Sequence, residues 1–205
     1  MALVQRGTNT KLGDGIGAVS LPPLTTCPGK TDYCSKVCYA TKGFFRMTNV
    51  QKSLQANFVI AESTDFIDEV MNSIRKQKLK AVRIHPAGDF YSKEYIDKWI
   101  TIVRNNPDVK FWVYTRSWRI KSLVPKIKEL SELSNIQVFA STDDTHTEKP
   151  PKWLRAAAVT TDWKDFDTSY VKCPNQKNKA ITCEKCTYCF KPVTNSKINV
   201  VFQEH

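Results

Sequence analysis

Seven cysteines fall into two groups near opposite ends of the 205-residue chain, with none between Cys38 and Cys173. Cys27, Cys34 and Cys38 form a C-x6-C-x3-C pattern inside TTCPGKTDYCSKVCYA. Cys173, Cys183, Cys186 and Cys189 form C-x9-C-x2-C-x2-C, ending in CEKCTYC. Soft thiolate ligands select zinc or iron–sulfur centres. A C-x2-C-x2-C loop turns three thiolates toward one point, as iron–sulfur cubanes require, and Cys173 supplies a fourth. Tetrahedral zinc usually draws on two separated C-x2-C knuckles, which this spacing lacks. The expectation for the second group is therefore a [4Fe-4S] cluster, with zinc as the alternative. The first group sits on a loop punctuated by Gly and Pro. Three thiolates there hold three irons of a cubane and leave the fourth iron open, as a catalytic metal needs. The alternatives are a zinc ion completed by His85 or by a cysteine of the other group, or buried thiols without metal. The spacing fits either two separate sites or one shared site.

Composition sets the frame around these thiols. With 41% apolar and 25% charged residues, the chain reads as one domain over 1–205 that can bury its own core. No run approaches about 20 apolar residues, so no membrane span is expected. The N-terminal MALVQRGTNTKLGDG lacks the apolar core and cleavage site of a secretory signal. A cytoplasmic location is expected, where a reducing milieu keeps thiols free. The 31 Lys and Arg exceed the 20 Asp and Glu, giving +11. A field of that sign attracts polyanions, so nucleic acid or a nucleotide is the expected substrate or partner. The plain alternative is a solvated Lys-rich surface, as at Lys76, Lys78, Lys80, Lys126 and Lys128.

The elements that must position the thiols follow from periodicity. GIGAVSLPP (15–23) reads as a strand that runs into the first cysteine loop. Residues 49–61 read as a helix with Leu54, Phe58 and Ala61 on one face. A second helix spans 63–77, with Thr64 as N-cap and a stripe of Phe66, Ile67, Val70, Met71 and Ile74. Strands at 81–90, 110–117, 136–144 and 156–163 then alternate with helices at 92–105 and 123–133, and 197–203 reads as a last strand. The 92–105 helix turns Tyr95, Ile96, Trp99, Ile100 and Val103 to the core, and Pro125 suits the first turn of the other. Such alternation implies βα units with right-handed crossovers and a parallel sheet. The fold class is α/β: an incomplete (βα)6-type barrel over about 15–165, with the cysteine-rich segment over about 170–205 folded against it.

Polar residues gather at the carboxyl ends of these strands, where such folds do chemistry. They are Arg83, His85, Gly88 and Asp89, then Tyr114, Thr115, Arg116 and Ser117, then Ser141, Thr142, Asp143 and Asp144, and last Thr160, Thr161 and Asp162. The first cysteine loop also follows a strand and opens on that edge. Taken singly, Asp89 and Asp143 are also good turn caps, Arg116 a salt-bridge partner and His85 a core histidine.

This layout resembles the radical S-adenosylmethionine (SAM) core, with PAGDF (86–90) where that family carries its Gly-rich acidic motif and an aromatic residue after the last cysteine in CSKVCYA (34–40). Both cysteine gaps are longer than that family's C-x3-C-x2-C. The likeness implies Gly88 and Asp89 at the methionine end of SAM, and Thr115, Arg116, Thr142 and Asp143 toward ribose or substrate. Asp89, Arg116 and Asp143 are then the candidate catalytic residues, with a reductant protein as partner. LPP…TCPG…C…CYA, HPAGDFYS, WVYTRSW and CP…TC-x2-C-x2-C resemble the phage gene 88 protein family across most of the chain. That likeness implies a virus- or prophage-associated protein, in the host cytoplasm, and names no substrate. Against the enzyme stands a metal-stapled binding or redox module, in which WVYTRSW with Arg116 and Arg119 forms a stacking platform for nucleic acid. A third reading is a nucleic-acid-modifying transferase on structural zinc, with Asp89 or Asp143 as nucleophile or base.

Overall fold

The structure, a computed structural model, describes residues 3–7, 9–145, 148–164, 166–191 and 199–204. Its strands are β1 (Gln5–Arg6), β2 (Ile16–Val19), β3 (Ala81–Ile84), β4 (Lys110–Thr115), β5 (Ile136–Asp143), β6 (Arg155–Thr160), β7 (Tyr170–Lys172) and β8 (Asn199–Gln203). Its α-helices are α1 (Asp32–Val37), α2 (Thr48–Glu62), α3 (Phe66–Lys76), α4 (Lys93–Arg104), α5 (Val124–Ser131), α6 (Pro174–Lys177) and α7 (Cys183–Cys186). The strands form one sheet in the order β1-β2-β3-β4-β5-β6-β8-β7. Only β1 runs antiparallel to its neighbour; every other pairing is parallel. The fold is thus mixed α/β on an eight-stranded, mostly parallel sheet. Two strands were not expected, because two- and three-residue strands such as β1 and β7 are too short to show alternation.

Strand alternation divides the core in two. Val82, Ile84, Phe111, Val113, Ile136, Val138 and Ala140 face the helices and pack with Phe66, Val70, Ile96, Trp99, Ile127 and Leu130. The intervening residues, Ile16, Ala18, Ala81, Trp112, Phe139, Ala157 and Val200, face the other way and pack against Cys173, Cys183, Cys189 and Phe190. Helices therefore cover one face of the sheet and the C-terminal cysteines the other. Each large apolar side chain fully buried in these layers contributes about 1.5–3 kcal/mol.

Helix stripes match their periodicity: α3 buries Phe66, Val70 and Ile74, and α4 buries Tyr95, Ile96, Trp99, Ile100, Ile102 and Val103. Ser92 caps α4 by accepting the Tyr95 N–H at 3.1 Å. The start of α3 departs from expectation. Asp65, not Thr64, holds the cap position, and Ser63 Oγ takes the Asp65 N–H at 3.2 Å. The first strand is also shorter than 15–23, since Pro22 and Pro23 offer no N–H to a neighbouring strand. Residues 197 and 198 of the expected last strand lie outside the described residues.

Candidate functional site

The first cysteine group lies at the carboxyl edge of the parallel strands. Thr31 caps α1 by accepting the Cys34 N–H at 2.9 Å, which sets Cys34 in the first turn and leaves Cys38 just past the helix end. Thr31 Oγ1 in turn donates to Asp143 Oδ2 at 3.1 Å. Asp143, at the end of β5, forms a buried ion pair with Arg116 at 2.6 Å; their side chains are 0% and 9% exposed. Asp89, after β3, accepts from Thr115 Oγ1 at 2.6 Å, the Arg116 N–H at 2.8 Å and the Phe90 N–H at 2.7 Å. The ends of three strands and the cysteine helix are thereby locked into one hydrogen-bonded frame. Two glycines let the loops close on it. A Cβ on Gly29 would stand 2.1 Å from the Arg116 carbonyl oxygen. Gly88 holds φ +86°, and a Cβ there would stand 2.7 Å from Leu21 and Thr26.

Electrostatics at this edge follow from burial. Burial, with Asp89 adding to it, pushes the Cys27 thiol up to about 12. Burial raises Cys34 as well, while the Arg116 guanidinium pulls it down. Asp89 is pushed up to about 6 by burial against the pull of its hydrogen-bond donors, Thr115 first. A proton must therefore leave these thiols before a cation can take them as thiolates.

The second group surrounds a cavity of about 30 Å³ on the sheet face opposite the helices, lined by Cys173, Cys183, Cys186, Cys189, Lys11, Arg83 and Tyr114 among others. The CEKC turn is stitched to the N-terminal segment. The Cys183 N–H donates to Lys11 O at 2.8 Å and the Glu184 N–H to Leu12 O at 3.0 Å. The Gly15 N–H returns a bond to Glu184 Oε2 at 3.2 Å. Thr187 ends the turn in the left-handed region, with its N–H on Cys183 O. Burial raises Cys183, against the pull of Arg83 and Lys11, and pushes Cys189 up to about 12. Lys11 is lowered by burial, with Cys173 opposing. Arg83 stacks over the Tyr114 ring at 5.2 Å, and its Nε is buried with no hydrogen-bond partner. Among the described residues neither Lys11 nor Arg83 forms an ion pair with a carboxylate.

All seven cysteines are free thiols. The structure separates them into two places, one at the strand ends and one on the sheet face. Among the described residues, no three Cys, His, Asp or Glu side chains stand close enough together to hold a single metal ion as they are placed. Two expectations change, those for His85 and for WVYTRSW. His85 does not complete a cysteine site. It is buried in the helix-side core, with Nε2 2.9 Å from the Tyr95 hydroxyl, and burial holds it down at about 3. The residues given to SAM are held by the protein's own contacts. Asp89 accepts from Thr115, and Gly88 packs against Leu21 and Thr26. WVYTRSW is no stacking platform: Trp112 is fully buried, Trp118 donates to Ser141 O at 3.1 Å, and Arg116 is in its ion pair. Thr142 is half-buried on β5. Arg83, expected among the strand-end residues, instead lies within β3 and lines the cavity of the second cysteine group. Lys11 was missed as a site residue, and nothing local marks it.

The architecture and site define a mixed α/β protein that gathers free thiols at two places on a mostly parallel sheet. The chain belongs to the gene product 88 family, whose model matches residues 1–192. It is 29% identical to the gene 88 protein of Mycobacterium phage L5 over 228 aligned residues, covering 97% of this chain and 91% of that one. The gene 88 protein of Mycobacterium phage D29 is 27% identical over 227 residues, with the same 97% and 91% coverage. No solved structure matches the chain, and nothing in these matches supports the radical SAM likeness. No helix among the described residues is long and apolar enough to cross a membrane.

Proposed function

We propose that this is a two-centre iron–sulfur protein. Cys173, Cys183, Cys186 and Cys189 would hold a closed cluster on the sheet face, and Cys27, Cys34 and Cys38 a cluster with one iron open at the strand ends. The observation that carries the reading is the charge at the second site. Lys11 and Arg83 are half-buried beside four thiols, the Arg83 Nε fully so, with no carboxylate paired to them among the described residues. Two half-buried cations facing one cavity favour an anionic occupant, which lowers the cost of withdrawing their charges from water. Four thiolates on a doubly positive metal core leave a net charge of about −2, which the two cations balance.

Zinc would satisfy the same charge balance. It usually draws on two separated C-x2-C knuckles, which this chain lacks. A cluster of several irons spreads its ligands over a larger volume, and CEKCTYC has the spacing for it. When bound, such a cluster supplies one-electron transfer and, at an open iron, a place for an incoming ligand. The chain's own part is to hold Cys34 by the Thr31 cap and to keep the loop seated through Thr31, Asp143 and Arg116. The sequential run of parallel strands β2 to β6 followed by β8 is the order an incomplete (βα)6 barrel would have. That curvature is part of the proposal.

Anaerobic purification tests the reading directly. Brown protein with absorbance near about 400 nm, and roughly eight irons with matching sulfide per chain, is the expected result. Colourless protein with stoichiometric zinc overturns it. Reduction in the presence of SAM, followed by assay for 5′-deoxyadenosine and methionine, decides whether the open site carries radical chemistry.

A further inference from the structure

The segment that follows the third cysteine is open to solvent in an uncommon way. Among the described residues, the exposed large hydrophobic side chains are Tyr39, Phe44, Met47 and Val59, so three of the four lie within one short stretch. Phe44 is 84% exposed. Between Tyr33 and Ala61 the sequence contains no Asp or Glu, but it has Lys36, Lys42, Arg46 and Lys52. All four bases are exposed, and none forms an ion pair among the described residues.

The stretch is nonetheless anchored. The Tyr39 hydroxyl donates to the carbonyl of Pro86, at the start of the PAGDF loop. The Tyr39 and Phe45 rings meet edge to face at 5.7 Å. Gln51 Nε2 donates to Phe45 O at 2.5 Å, tying the 3-10 turn Gly43–Arg46 to α2. An aromatic ring is thus presented to water on a fixed turn, flanked by bases, beside the first cysteine group. Solitary exposed apolar residues need no explanation. A fixed aromatic ring in an acid-free basic field has the composition of a platform on which bases stack while cations follow the phosphates.

We propose that Tyr39–Met47 is a docking lip for single-stranded nucleic acid, with Phe44 stacking on a base and Lys42 and Arg46 contacting phosphates. Single strands are favoured over duplex, because one exposed ring on a short turn offers stacking but no element long enough to enter a groove. The proposal stands on surface composition and does not depend on what the thiols bind.

Fluorescence anisotropy of a labelled oligodeoxythymidine and an oligouridine of about 20 nucleotides tests it, with intact protein at about 50 and 200 mM salt. Phe44→Ala is expected to weaken binding roughly ten-fold, with melting temperature and bound metal unchanged. Phe44→Trp should retain affinity, and the new indole should be quenched on binding. Lys42→Gln together with Arg46→Gln should lower the salt slope by about 1.4. Wild-type affinity in Phe44→Ala overturns the proposal. So does equal or tighter binding of a duplex of the same length without dependence on Phe44. Phe44-dependent capture by phosphatidylserine vesicles, with no oligonucleotide bound, would instead make the lip a membrane face and overturn it too. Metal analysis of the same samples reads out the iron–sulfur reading separately, so either can fail alone.

Discussion

The two cysteine groups sit in contrasting surroundings. The C-terminal group belongs to the core. Cys173, Cys183 and Cys189 pack with Trp112, Phe139 and Val200 on one sheet face, and the CEKC turn is bonded to residues 11–15. The N-terminal group belongs to an edge: Cys27, Cys34 and Cys38 are half-buried, as are Cys183, Cys186 and Cys189, but the first three lie on loops and a short helix at the strand ends. Its neighbours are polar, namely Asp89, Thr115, Arg116 and Asp143. A core position suits a closed centre that replaces missing hydrophobic packing. An edge position suits one that exchanges ligands with solvent. One sheet supports both, because alternation supplies two faces while parallel strands bring all their carboxyl ends to one edge.

Substitution of Cys186 should show the largest effect of this difference. Cys186→Ala is expected to lower the melting temperature by about 10 °C or more, since losing the proposed closed centre would remove stability from the sheet face it would cover. Calorimetry of the anaerobically prepared variant checks this, and a change as small as that of an edge cysteine would erase the contrast. Next in size is the buried pair that seats the edge loop. Asp143→Ala removes the carboxylate from the buried ion pair with Arg116 and the acceptor of the Thr31 hydroxyl, and should cost about 3–5 kcal/mol in urea unfolding. The joint replacement Arg116→Met with Asp143→Leu should cost less than Asp143→Ala alone.

A smaller effect concerns pH and separates the frame residues from the thiols. His85 is held at about 3 in the fold against 6.5 in the open chain. As pH falls below about 6.5 the unfolded chain takes up a proton that the folded one refuses. Stability is then lost by about 1.4 kcal/mol for each pH unit. Asp89 runs the other way. Its folded value is raised to about 6, so between 3.8 and about 6 the fold keeps a proton that the unfolded chain releases, and acid favours folding. The two oppose each other across that window. His85→Asn should therefore become more stable, relative to wild type, as pH drops from about 6 to 4. Parallel urea titrations at several pH values measure it, and curves that stay parallel would remove His85 from the account. The smallest change is expected from Cys34→Ala, under about 3 °C in melting temperature, together with loss of metal at the edge site alone. Metal counting beside calorimetry distinguishes it from Cys186→Ala.

Much of the frame was legible in the residues. The stripes of α3 and α4 rest on a 3.6-residue period with large apolar side chains, and both were found with the right faces. The order of βα units followed from short apolar strands between them. The strand-end position of Asp89, Arg116 and Asp143 was also readable, since turn-forming polar residues follow each strand. Their mutual satisfaction was not. Whether Asp89 faces a ligand or Thr115 depends on loop closure, which Gly29 and Gly88 permit through contacts with residues far away in sequence. His85 was ambiguous for the same reason: a histidine after a strand reads alike whether it points to the edge or, as here, back to Tyr95.

By itself the sequence determined that seven thiols form two groups, that strands alternate with amphipathic helices, and that a basic, acid-free stretch follows Cys38. Those properties are local, set by spacing, periodicity and residue type. Only the tertiary structure decided that the C-terminal thiols share a sheet face with Lys11 and Arg83, and that Phe44 is left in water. Residues 11, 83 and 183 come together only when β2, β3 and the CEKC turn are in place. Such meetings depend on strand register and chain reversal, and no local pattern encodes them.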